Sequence, residues 1–391
     1  MKRTLGRPRT ARDDRRYLRM ALGLAARGEG QTAPNPMVGA ILVRGGRVVG
    51  EGYHTRAGAP HAEAVALAQA GSRARGATLY VNLEPCCHFG RTPPCVDSIL
   101  AAGVGRVVAS LEDPDPRVRG KGFRALRAAG TRVLVGPLAR EARRLNESFL
   151  RRVVAGRPFV TLKAGMSLDG RIATRTGESK WITSPAARAA ARELRAEHEA
   201  VLVGVNTVLR DDPRLSARGA RRPGNGSGPR VGDGGGQPVR VVLDTRLRTP
   251  PGARILADGA GPVIVVTLRG APRARRRKLE AAGALVVEVG GRDGHVSLEK
   301  ALRELGRRGI SSVLVEGGSE VLGSVLDDRI GDRLVLFVAG RVLGGRGALP
   351  AFGGRGSARL RDAPRLREVR VRTLGRDLRI DGRLVFPRGR G

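Results

Sequence analysis

Leu83–Cys95 reads LEPCCHFGRTPPC, and its Cys86, Cys87 and Cys95 are all the cysteines of a 391-residue chain. Three clustered thiols cannot form an even disulfide framework and would staple nothing distant. The pattern fits a reducing cytosol in which cysteine is kept for metal binding or catalysis. The length exceeds what one core supports and predicts two or three domains, and an apolar content of 41% is enough to build interiors.

The formal charge of +36 comes almost wholly from arginine: of 72 basic residues only Lys2, Lys121, Lys163, Lys180, Lys278 and Lys300 are lysines. The arginines run along the whole chain, and aromatics are only 3%. A nucleic-acid protein concentrates charge on one face and interleaves aromatics, so the bias reads as a solvated surface without specific nucleic-acid recognition. Arg15–Gly28, RRYLRMALGLAARG, superficially resembles an export signal, but Arg19, Arg27 and Glu29 break its apolar run. Tyr17, Leu18, Ala21, Leu22, Leu24 and Ala25 instead recur at helical spacing, predicting a helix over about 12–27. No apolar run approaches the length of a membrane span, and the expected location is the cytoplasm.

Outward from the cysteines the chain alternates. A hairpin, Val38–His54, turns at Gly45-Gly46. Then come a helix from His61, the strand ATLYVNLEP, a helix from Cys95, the strand RVVASLED, a helix from Gly122 and the strand TRVLVG. This predicts a largely parallel sheet with helices on its faces, its site where strands hand over to helices. One helix over Leu138–Val153 leads to Gly156-Arg157-Pro158, and a second, unrelated alternation runs from Phe159 to about Gly345. The expected organisation is a disordered basic start (1–11), a first domain (12–155) and a second domain (156–391). Gly219–Gln237 reads as a Gly-rich surface loop.

His61, Cys86 and Cys95 are an imidazole and two thiols, a set that suits zinc and leaves a fourth tetrahedral position for water. Glu63, two residues past the histidine, can take that water's proton and return it. H-x-E followed by P-C and a further cysteine is the zinc-deaminase signature, with a C-x8-C spacing here that argues against an ordinary cytidine deaminase. The alternative is a closed structural site using Cys87 or His88, which would leave Glu63 without work. His54 and His88 match no ligand spacing and read as substrate-contact or surface groups.

PNPMVGA (34–40), GYHTRAGAPHAEAVAL (52–67), LEPCCHFGRTPPC, SLDGRIAT (167–174), GESKWITS (177–184), NTVLRDDPRL (206–215) and VEGG (315–318) together resemble the bifunctional riboflavin-biosynthesis deaminase/reductase family, over nearly the whole chain. The resemblance implies a cytidine-deaminase-like three-layer α/β/α domain followed by a dihydrofolate-reductase-like α/β domain. The first would deaminate a diamino-ribosylamino-pyrimidinone 5′-phosphate, with zinc on His61, Cys86 and Cys95, Glu63 as proton shuttle and Asn35 on the substrate. Cys87 and Phe89 depart from the family's small polar residue and histidine, which puts only pocket polarity in doubt.

The second domain would use NADPH to reduce the ribosyl group to a ribityl chain. By resemblance, cofactor contacts fall on Gly165, Trp181, Thr207, Asp211, Thr245 and the run Gly318, Ser319, Glu320, Val321, Leu322, Gly323, Ser324. Substrate contacts fall on Ser179, Arg195, Leu215, Arg218 and Glu316, the two arginines suiting a phosphate. The residues agree: Ser312–Leu326 reads as strand, Gly-Gly turn and helix, able to face a pyrophosphate with main-chain N–H groups. Lys163 and Asp169 receive no role. The family further suggests a homo-oligomer acting on a small-molecule substrate. Two rivals are a basic base-editing deaminase and a deaminase with a degenerate reductase half. The C-x8-C loop opposes the first; Ser179, Trp181, Asp211 and Glu316 oppose the second.

Overall fold

Thr10 accepts the Asp13 N–H, and Asp13 in turn accepts the Thr10 N–H, a reciprocal cap that starts helix α1 (Ala11–Ala26). The computed structural model describes residues 10–90, 93–217, 237–257 and 259–387. Arg218 and most of the Gly-rich stretch 219–237 lie outside them, as do residues 1–9 of the basic start. The described residues fall into two compact units, one up to Ala155 and one from Gly156 onward.

The first unit continues with β1 (Gly39–Arg44), β2 (Arg47–Tyr53), α2 (Ala62–Ala70), β3 (Thr78–Val81), α3 (Cys95–Ala101), β4 (Arg106–Ala109), α4 (Lys121–Ala128), β5 (Arg132–Val135), α5 (Ala139–Leu145) and α6 (Glu147–Ala155). Its sheet has the order β2-β1-β3-β4-β5; β1 is antiparallel to both neighbours and the rest is parallel. Successive strand residues face opposite ways, so Ala40 and Leu42 pack with α2, α3 and α4, while Ile41 and Val43 pack with α1. That is a three-layer α/β/α sandwich. Asp14, inside the α1 face, is not left unpaired: Arg106 grips its carboxylate at 2.8 and 3.0 Å and the Tyr80 hydroxyl donates at 2.9 Å.

The single helix expected over Leu138–Val153 is two, because Asn146 leaves helical geometry (φ −104°) and turns its side chain to the Met37 main chain. The predicted strand after Ala77 also stops early, at Val81, and the chain from Asn82 onward is free to bend into the cysteine loop.

The second unit holds β6 (Phe159–Ser167), β7 (Arg171–Ala173), α7 (Pro185–Ala196), β8 (Ala200–Gly204), α8 (Val205–Asp211), β9 (Val239–Leu243), α9 (Arg254–Ala257), β10 (Val263–Leu268), α10 (Arg273–Ala281), β11 (Ala284–Val289), β12 (Gly291–Arg292), β13 (His295–Val296), α11 (Leu298–Arg307), β14 (Ser312–Gly317), α12 (Ser319–Asp327), β15 (Arg333–Ala339), β16 (Leu349–Pro350), β17 (Arg365–Leu374) and β18 (Asp377–Val385). Nine strands form one sheet, β11-β10-β9-β8-β14-β6-β15-β18-β17, parallel up to β15 and antiparallel in the final hairpin. Helices α11 and α12 cover one face, α7, α8 and α10 the other. The hairpin β17–β18 is absent from the sequence reading because β17 is an exposed edge strand rich in arginine, with little burial to write an apolar pattern.

Two glycines of β2 decide where α2 lies. A Cβ on Gly50 would sit 2.2 Å from the Ala66 carbonyl oxygen, and one on Gly52 2.5 Å from that of Ala62. Bare glycine lets the helix rest on the strand. Gly52→Ala is expected to push α2 off the sheet, destabilising the first unit by about 1–3 kcal/mol and lowering zinc retention; urea unfolding with metal analysis checks both.

Candidate active sites

The chain enters α2 through His61, which occupies the N-cap position, and enters α3 at Cys95, its first residue; Cys86 sits on the turn after β3. His61 Nδ1 lies 3.2 Å from Cys95 Sγ and 3.4 Å from Cys86 Sγ, and all three donor atoms lie within 4.8 Å of one another. Among the described residues this is the one such convergence of three or more His, Cys, Asp or Glu donors. The Cys95 N–H points at Cys86 Sγ at 3.3 Å, so the start of α3 favours a thiolate there.

A hydrogen bond between the two side chains holds the Cys86 thiol well below its usual range, and the same thiol–thiol bond, with burial, drives Cys95 up. Two sulfurs this close share one proton unless a cation replaces it. The donor set and spacing therefore fit zinc, with the three ligands of an open site. Glu63, only 3% exposed, is pushed up to about 7 by burial first and then by the Cys86 charge. A carboxyl poised near neutrality can both take and return a proton.

Cys87 is outside the cluster: its thiol donates to the Arg117 carbonyl at 3.8 Å, and burial raises it. Glu84, which the sequence reading passed over, accepts the N–H groups of Asp113, Gly120 and Phe123 at 2.9–3.1 Å, tying the cysteine loop to the start of α4. Only tertiary contact reveals it. Asn35 lies in the loop before β1, its amide nitrogen 3.1 Å from His54 Nε2.

In the second unit, a cavity of about 2140 Å³ opens along the carboxyl ends of β6, β8, β9 and β14. It exceeds a typical ligand pocket of roughly 300–1,000 Å³ and has room for a dinucleotide beside a substrate. Gly165, Ser179, Trp181, Arg195, Thr207, Asp211, Leu215, Thr245 and Glu316 all line it, as do Gly318–Leu322 and Ser324. Gly323 does not: it faces the Gly353 carbonyl, 2.1 Å from where its Cβ would be, so its part is packing. The Gly317-Gly318 turn, with Gly318 at φ +59°, lies against Thr207 Oγ1, and the Ser319 hydroxyl is buried without a protein partner. Bare main chain, a helix start and an orphaned hydroxyl fit a bound phosphate. Trp181 is 63% exposed, with the Arg188 guanidinium 4.4 Å from its ring centre.

Arg195 is already committed. Its Nε and Nη2 donate to the Glu316 carboxylate at 2.5 and 2.8 Å, and Nη1 to the Ser216 carbonyl at 3.1 Å. The fork expected on a phosphate is spent on Glu316. Lys163 Nζ stands 3.5 Å from the same carboxylate and also lines the cavity. Burial would push Glu316 up, but the Arg195 and Lys163 charges hold it at about 2. Asp169 accepts from the Ser167 hydroxyl at 2.6 Å and from the N–H groups of Leu343 and Gly344, a brace for the loop after β15.

A partly buried two-thiol, one-imidazole cluster beside a buried glutamate, followed by a second α/β unit with a dinucleotide-sized cavity, fits a zinc deaminase joined to a reductase. Residues 11–111 match the family described as the cytidine and deoxycytidylate deaminase zinc-binding region, and residues 158–380 the RibD C-terminal domain. The chain is 44% identical to the riboflavin biosynthesis protein RibD of Aquifex aeolicus, over 94% of this chain and 97% of that one. It is 42% identical to that of Escherichia coli, over 93% and 98%. Among solved structures it is similar to Acinetobacter baumannii RibD (TM-score 0.83, 36% identity, 96% and 99% covered). It is likewise similar to the diaminohydroxyphosphoribosylaminopyrimidine deaminase/5-amino-6-(5-phosphoribosylamino)uracil reductase of Thermotoga maritima (0.78, 36%, 96% and 99%). The chain belongs to the RibD family of bifunctional riboflavin-biosynthesis enzymes. Its architecture is accordingly cytidine-deaminase-like followed by the dihydrofolate-reductase-like RibD reductase domain, and its cofactors are zinc and NADPH. No helix among the described residues is long and apolar enough to cross a membrane.

Glu316 gives a pH test. Its carboxyl binds a proton less readily folded, at about 2, than at the ordinary 4.5. The stability it contributes is therefore complete above about pH 5 and is lost as pH falls from about 4.5 toward 2. Acid unfolding of the second unit is expected to steepen over that window, and Glu316→Gln to flatten it while lowering stability at neutral pH.

Proposed function

We propose that the unit up to Ala155 hydrolytically deaminates 2,5-diamino-6-ribosylamino-4(3H)-pyrimidinone 5′-phosphate, and that the unit from Gly156 onward reduces the ribosyl group of the product to a ribityl chain with NADPH. The observation that carries the first half is the meeting of His61, Cys86 and Cys95 beside buried Glu63. Zinc bound to those three residues supplies Lewis acidity toward water. Glu63 takes the proton from the attacking water and delivers it to the departing amine, so water and the pyrimidine amine become a carbonyl and ammonia. Asn35 contacts the pyrimidine.

In the second unit, Gly165, Trp181, Thr207, Asp211, Thr245, Gly318–Leu322 and Ser324 hold NADPH, with the Ser319 hydroxyl and the start of α12 toward its phosphates. Gly323 belongs to that run as the packing position that seats α12. Ser179, Leu215, Arg218 and Glu316 take the substrate, and Arg195 acts through Glu316, which it holds ionised. When bound there, NADPH would supply the hydride, and solvent the proton, that reduce at C1′ the imine formed when the ribosylamine opens. The chain's share is to align the two carbons and anchor the phosphate. Three free cysteines, all at or beside the zinc site, support work in the reducing cytoplasm. The protein works there as a homo-oligomer on small molecules, without specific nucleic-acid binding.

Purified protein given the pyrimidine phosphate is expected to release ammonia without NADPH and to oxidise NADPH once it is added. Ammonia without later oxidation would sink the reductase assignment. Glu63→Gln should keep stoichiometric zinc and lose ammonia release; retained deamination would remove Glu63 from the reaction.

A further inference from the structure

The break at Asn146 has a purpose in the first unit. Asn146 is 2% exposed, and its carboxamide pairs reciprocally with the Met37 main chain: Oδ1 accepts the N–H at 2.8 Å and Nδ2 donates to the carbonyl at 2.9 Å. Buried Asn82 donates to the same carbonyl at 2.9 Å and accepts the Gly39 N–H at 2.8 Å. Arg152, from α6, donates to the Pro34 carbonyl at 2.8 Å. The main chain on both sides of Asn35 is thus tied to elements far away in sequence, two of the ties coming from residues between the two family matches.

The Asn35 side chain has its own restraint. His54 is 3% exposed, and its Nδ1 lies 3.1 Å from the Pro60 carbonyl, which can only accept. The ring proton therefore sits on Nδ1, and Nε2 is left as an acceptor. The Asn35 Nδ2 group fills that acceptor at 3.1 Å, which turns the amide nitrogen toward His54 and the oxygen away from it. The His54 ring also packs edge-on against His61, with centroids 5.4 Å apart, so Asn35 stands one ring away from the metal ligands.

We propose that Asn146 and His54 are positioning residues of the deamination: Asn146 locks the main chain beside Asn35, and His54 locks its amide so that Oδ1 meets an N–H of the pyrimidine. This rests on the reading of Asn35 as a substrate contact. A site built to accept a substrate N–H discriminates against analogues without one, because its own polar group is then left unpaired.

The test is steady-state deamination per bound zinc in Asn146→Asp, His54→Leu, His54→Gln and Asn35→Ala. Asn146→Asp keeps the acceptor for the Met37 N–H but sets an oxygen against the Met37 carbonyl. It and His54→Leu are expected to raise KM for the pyrimidine phosphate about tenfold or more, at full zinc content and with kcat little changed. His54→Gln, which can donate to Pro60 and accept from Asn35, should restore KM. A merely structural loss would lower Tm and the zinc-loaded fraction without moving KM. Unchanged KM in Asn146→Asp and His54→Leu, with KM raised in Asn35→Ala, would overturn this inference alone. Unchanged KM in Asn35→Ala would bring down the Asn35 reading and this inference with it. Zinc loss in His54→Leu without a KM change would assign His54 to His61 instead.

Discussion

The N–H groups left unbonded at helix starts are the constraint around which both units are arranged. Where a parallel strand hands over to a helix, those donors face the same edge of the sheet and favour negative charge. In the first unit they meet the sulfur of Cys86 at the start of α3 and the carboxylate of Glu84 at the start of α4. In the second they stand behind the Gly317-Gly318 turn, where α12 begins beside an orphaned serine hydroxyl. One rule of backbone chemistry thus favours a thiolate in one unit and leaves donors that fit a phosphate in the other.

Burial then decides how the charges behave. At Glu63 burial and the Cys86 charge outweigh the neighbouring His61 and raise the carboxyl toward neutrality, whereas at Glu316 the Arg195 and Lys163 charges keep it ionised well below the ordinary range. Both are buried carboxyls at strand ends or helix starts, and the neighbours set their opposite states. A carboxyl poised near neutrality and a fixed anion follow from that difference. The commitment of Arg195 to Glu316 belongs to the same logic, since a buried carboxylate without a partner is far costlier than a phosphate contact forgone.

Much was legible in the chain. The apolar periodicity of Tyr17–Ala25, the glycine pair at the hairpin and the strand–helix alternation each reflect burial along one element, which a sequence records directly. The His61, Cys86 and Cys95 cluster was readable for another reason: these are rare residue types in a chain otherwise without cysteine. Arginine was the opposite case. With 72 basic residues in the chain, composition could not separate Arg195, held in a buried pair, from the solvated remainder. The β17–β18 hairpin escaped notice because an exposed arginine-rich edge writes no apolar pattern.

By itself, then, the sequence determined the kind of metal site, the two successive α/β units and most of the order of their buried strands and helices, because these depend on residue type and on local period. The tertiary structure decided which partners each polar side chain has. Asn146 with Met37, His54 with Asn35, Glu84 with the start of α4 and Arg195 with Glu316 join residues 19 to 121 positions apart. A hydrogen bond requires about 3 Å and a particular direction, and neither is encoded in spacing along the chain.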